Sequence, residues 1–148
     1  MKYLRVGAVA FTTLVILSCS RSPQIAVNAP AATSPEARIQ QIPPADPQKF
    51  AGMRDMKNWR NPYLIIKPNG VALLDVANHE EHLLKPEELP GALASLPASA
   101  WPYGRVVVVT DAGVAATASD LAPIRRNRGI VAGTLESMHI LINWVPSA

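Results

Sequence analysis

Apolar positions fall into several distinct rhythms along this chain, and each rhythm predicts an element. Phe50, Met53, Met56 and Trp59 recur every third residue between Pro47 and Arg60, a spacing that lines one side of a short helix. Asn61-Pro62 ends it, because the residue before proline avoids the helical region. Such a stripe either folds back on its own core or docks a partner. Two apolar runs, Tyr63 to Lys67 and Val71 to Val76, then flank Pro68-Asn69-Gly70. Proline fixes φ and glycine accepts positive φ, so this reads as a β-hairpin.

Farther along, Pro86-Glu87-Glu88 suits a helix start, and Leu89, Leu93 and Leu96 follow at helical spacing. Pro90-Gly91 interrupts the pattern and restricts regular helix to roughly Pro90 through Leu96. Four consecutive valines between Arg105 and Thr110 predict a strand buried on both faces, broken by Asp111-Ala112-Gly113. Ser119 or Asp120 caps a helix holding Leu121, Ile124 and Arg125, with Pro123 in its first turn and Gly129 as its stop. From Ser137 to Val145 the residues alternate, with Met138, Ile140, Ile142 and Trp144 on one side and His139, Leu141, Asn143 and Val145 on the other. The order of hairpin, helix, strand, helix and strand defines an α+β domain with a small mixed sheet, placed at residues 50–148.

Ahead of it, residues 20–49 hold six prolines among Ala, Ser, Gln and Asn. That composition buries too little apolar surface to offset its ordering entropy and predicts a disordered or extended tether. Residues 1–19 pair Lys2 and Arg5 with an uncharged run from Val6 to Leu17, the pattern of a signal peptide. The stretch is shorter than the roughly 20 residues a membrane-spanning helix needs. Ile16-Leu17-Ser18-Cys19 resembles the lipobox of bacterial lipoproteins, which implies a lipid attached to Cys19 and a chain held at the cell envelope, facing the periplasm or the exterior. Simple secretion as a soluble protein is the competing address.

Processing also changes the charge. The full chain carries 14 basic and 11 acidic residues, and loss of Lys2 and Arg5 leaves 12 against 11. A balance this close to neutral offers no clustered basic face for nucleic acid. Cys19 is the only cysteine, so an intramolecular disulfide is excluded and packing must supply stability. The implied partners are a lipid bilayer through acylated Cys19 and an envelope protein or cell-wall component.

The element order behind an anchor and tether is similar to the periplasmic domain of the ExbD/TolR family. Pro102-Tyr103-Gly104-Arg105-Val106-Val107 resembles a segment common there. That resemblance implies a component of an envelope transport or energy-coupling system. In the family the segment opens a helix, whereas here it leads into the valine strand, and no acidic residue lies in the apolar run.

Chemistry is sparse. His79-Glu80-Glu81-His82 is the one dense cluster of potential ligands, and a helical turn places His79 and His82 on one face. A zinc site needs further ligands, for which Asp75, Asp111 and His139 are the candidates. The spacing lacks the His-Glu-x-x-His form of metalloproteases, and a solvated charged loop explains the cluster more simply. No Gly-x-Ser-x-Gly elbow accompanies Ser95, Ser99, Thr110, Ser119, Thr134 or Ser137. Glu87 and Glu88 read as helix-start charges. Arg125-Arg126-Asn127-Arg128 is the one basic run, placed near a helix end where it complements the dipole or contacts anionic lipid or an acidic partner. A non-enzymatic binding module without a cofactor is thus the expectation, with a small metal-dependent or serine-type hydrolase using His79, His82 or His139 as the alternative.

Overall fold

The computed structural model describes residues 33–53, 56–75, 80–113 and 117–146. Cys19, the rest of the signal and lipobox segment, and His79 lie outside the described residues.

The hairpin forms as expected. β1 (Tyr63–Lys67) and β2 (Gly70–Asp75) pair antiparallel, with Tyr63 opposite Leu74 and Lys67 opposite Gly70. A third strand, β3 (Glu80–Leu84), then pairs antiparallel with β2. The remaining strands are β4 (Val106–Asp111) and β5 (Leu141–Trp144), and the sheet order is β3-β2-β1-β4-β5. β4 runs parallel to both β1 and β5. This is a mixed sheet in an α+β domain. β4 has a neighbour on each side and layers above and below, which is why its four valines are fully buried.

Residue alternation divides the core in two. On one face Leu64, Ile66, Val71, Leu73, Val107 and Val109 pack against the helices. These are α1 (Pro35–Ile39), α2 (Leu89–Ser95) and α3 (Leu121–Ser137). On the other face, Val106 and Val108 lie beneath Trp59, with Phe50, Met53, Met56 and Tyr103 around it. Trp59 meets Phe50 edge-on at 5.9 Å and Tyr103 at 5.1 Å between ring centres. The apolar stripe from Phe50 to Trp59 is therefore one face turned onto the core. Its described residues hold no α-helix: Met56–Asn58 is a single 3-10 turn, whose natural repeat is three residues.

Four further differences from the sequence reading have physical causes. The expected charged loop at Glu80–His82 is strand instead, because β2 offers a hydrogen-bonding edge that outweighs the poor strand propensity of Glu. Gly129 does not stop α3. Val131 and Leu135, both fully buried, lie beyond it. Each is worth about 1.5–3 kcal/mol, against about 1 kcal/mol for a mid-helix glycine.

The expected strand from Ser137 loses its first half to the end of that helix. His139 sits at φ 56°, its N–H donating to Glu136 O, while Ile140 N–H donates to Leu135 O. This is a Schellman turn with histidine at the position glycine usually takes. Met138 and Ile140 are buried by that turn and not by strand alternation.

Order also begins before Phe50. The compact unit runs from Ala32 to Ala148. Ile39 is fully buried in the helical core. Gln40 Nε2 donates to Met138 O at 3.0 Å, and Arg105 N–H donates to Pro43 O at 2.9 Å. Judged by average composition, this stretch is a tether. One buried isoleucine and a few backbone bonds tie its second half down.

Candidate functional site

Asn61 sets the entrance to β1. Its Nδ2 donates to Gly104 O at 2.7 Å and Val106 O at 2.8 Å, and its Oδ1 accepts from Tyr103 N–H at 2.9 Å. The carboxamide is fully buried and holds the start of β1 against the start of β4. Beside it opens a cleft of about 570 Å³, lined by the Arg60–Pro62 entrance, by Leu73, Leu74 and Asp75 of β2, by His82 of β3, and by Leu96, Pro97 and Ala100 after α2.

The volume is within the range of pockets that hold a small molecule or a few side chains of a peptide. Its walls are mostly apolar, and its ionisable groups are Arg60, Asp75 and His82. Asp75 and His82 share the helix-facing side of the sheet, because Leu73 is opposite His82 and Asp75 opposite Glu80. Sequence reasoning weighed Asp75 only as a metal ligand, and His82 as a metal ligand or a hydrolase residue. Nothing in the spacing of Arg60, Leu74, Leu96, Pro97 and Ala100 marks them as neighbours, since the cleft is assembled from four separate segments.

The other candidates lie elsewhere. His139 precedes β5 at one edge of the sheet, while His82 sits on β3 at the other, with three strands between them. At about 4.8 Å per strand this keeps the two histidines well over 10 Å apart. They cannot serve one metal or one catalytic triad. Asp111 is at the far end of the sheet, paired with Ile66, whereas the cleft adjoins Tyr63. Among the described residues no three His, Cys, Asp or Glu side chains come together in a metal-holding group.

Several hydroxyls are engaged locally. Ser95 Oγ donates to Ala92 O, Ser137 Oγ to Thr134 O, and Thr117 and Ser119 bond each other. Glu88 Oε2 accepts from Lys85 N–H at 2.8 Å, which makes it a cap for the turn ahead of α2.

The basic run lies within the first half of α3, so it does not complement the helix C-terminus. Its members differ. Asn127 points inward and donates to Lys67 O at 2.8 Å, securing the hairpin turn. Arg128 donates to Asp111 Oδ2 at 3.0 Å and lies over the Trp144 ring. Arg125 and Arg126 remain exposed. Just before the helix, Asp120 Oδ2 accepts from both Thr117 N–H and Thr117 Oγ1, and these bonds hold its carboxyl below the usual aspartate range.

No family model, curated protein or solved structure matches this chain.

Proposed function

We propose that this chain is an envelope lipoprotein, anchored through an acylated Cys19, whose α+β domain is a non-enzymatic module that binds an extended segment of an envelope protein in the cleft beside Asn61. The cleft is the observation that carries the binding half of this reading. Leu73, Leu96 and Pro97 offer contact to an inserted apolar side chain, while Arg60 and Asp75 provide opposite charges for its polar neighbours. The anchoring half rests on Ile16-Leu17-Ser18-Cys19 and the basic, apolar head before it. A hydrolase would have to assemble around His82 without His139, on the topology above.

Two measurements test the reading separately. Mass spectrometry of the mature N-terminus should find an acyl group on Cys19, and a free amine beyond residue 20 would refute the anchor. Crosslinking of the mature chain in its own envelope should capture a protein through a photoreactive group at Ala100, another residue lining the cleft. If Leu96→Arg captured that protein as well as the parent does, the cleft would not be the docking site.

A further inference from the structure

The outer surface of α3 is not accounted for by the cleft. Ile124, Asn127, Val131 and Leu135 turn inward, which puts Arg125 and Arg126 on the outward side. Neither arginine has a hydrogen bond or ion pair among the described residues. Leu121, one turn before Arg125 and on the same stripe, is 47% exposed. Trp144 is 39% exposed, its ring covered by Arg128.

Two carboxylates bordering this surface are engaged, Asp111 by Arg128 and Asp120 by Thr117. Glu136 stands about 16 Å along the axis from Arg125. The combination of free arginines with an exposed leucine one turn away is what an interfacial helix presents to anionic lipid. α1, where the chain enters the described structure, packs on the same side of the sheet as α3, joined to its end by the bond from Gln40 to Met138. α1 therefore belongs to the layer that carries these arginines, joined at the end of α3 opposite Arg125.

We propose that the outer face of α3 at Arg125 and Arg126, with Leu121 at its start, rests on the anionic surface of the bilayer that anchors the chain. This rests on the lipid-anchored reading above. Each arginine near such a surface strengthens contact about fivefold, so the pair contributes about thirtyfold. Arg128 is outside the contact set because Asp111 and Trp144 hold it.

The test uses the full mature chain carrying Ala122→Cys, labelled with an environment-sensitive dye and incorporated into vesicles of phosphatidylcholine with or without phosphatidylglycerol. Retention on neutral vesicles reports the anchor alone. The dye response reports the α3 contact, so the two ideas fail separately. Contact predicts a blue shift with anionic vesicles only, lost at about 0.5 M salt, where screening acts over about 4 Å. Arg125→Glu with Arg126→Glu should abolish the shift, and Arg125→Lys with Arg126→Lys should keep it. A dye at Asn58, across the sheet, should not respond. An equal dye response on neutral and anionic vesicles, or a response untouched by the charge reversal, would overturn the proposal. So would a blue shift produced by an acidic protein and by no vesicle.

Discussion

The guanidinium of Arg128 lies 4.2 Å from the centre of the Trp144 ring, so a residue in the middle of α3 is fastened to the outermost strand of the sheet. The same side chain reaches Asp111 on the neighbouring strand. β5 has only four residues and one neighbouring strand, so this clamp matters to its position. The ion pair is half-exposed and contributes little by itself, whereas the cation over the ring is worth about 0.5–1 kcal/mol. A double-mutant cycle of Arg128→Ala and Trp144→Ala in urea unfolding should show a coupling of about that size. A coupling near zero would mean the stacked geometry does not persist in solution.

Asn61 should be among the most sensitive positions. Asn61→Ala leaves Gly104 O, Val106 O and Tyr103 N–H without their partner in a buried site. The expected loss is about 3 kcal/mol or more, read as a lower urea midpoint at unchanged slope. Asn61→Asp should do no better, since a carboxylate cannot donate to the two carbonyls.

Gly104 stands at φ +78°, and a Cβ there would come within 2.1 Å of Pro44 O, a backbone atom. Gly104→Ala should therefore push the Pro43-Pro44 segment off the start of β4, in addition to the strain of a positive φ. Limited proteolysis should then cut between residues 40 and 50 in the variant and spare the parent.

His139 occupies a left-handed conformation that glycine adopts without steric cost. His139→Gly should raise stability by about 0.5–1 kcal/mol in thermal unfolding, and His139→Val should lower it by more. If the Gly variant instead lost stability, the imidazole would be making a contact that the turn geometry does not reveal.

The Asp120 carboxyl is held below the ordinary aspartate range by its two bonds from Thr117. Because the folded value is depressed, whatever the turn gains from this carboxylate is present above the unfolded aspartate pKa. It is lost as pH falls through the lowered folded value. An NMR titration should find the Asp120 midpoint below that of an unstructured aspartate, and Thr117→Val should move it back upward.

Legibility varied with how local each signal was. The hairpin was readable because proline, asparagine and glycine act on their own backbone, and β4 because four valines need no context. Leu89 and Leu93 show the same economy, both fully buried on α2. β3 was hidden because Glu80, Glu81 and His82 become strand only through the neighbouring edge of β2. The extent of α3 past Gly129 depended on the sheet beneath Val131 and Leu135, and the turn at His139 on burial of Ile140. Of the cleft, Asp75 and His82 stood out as chemistry, but their apolar surroundings come from residues far apart in sequence.

The burial of Ile39 has a consequence for search and capture. If Cys19 is acylated as proposed, only residues 20–32 lie between it and the first described residue, so chain length alone limits how far the domain can stand from its anchor. Fully extended, that stretch spans about 45 Å. Under that proposal, a domain confined to a hemisphere of that radius would meet targets in the same patch of envelope at an effective concentration on the order of 10 mM. An intrinsically weak cleft would still be occupied by a neighbour at that concentration, while a target farther away would go unbound.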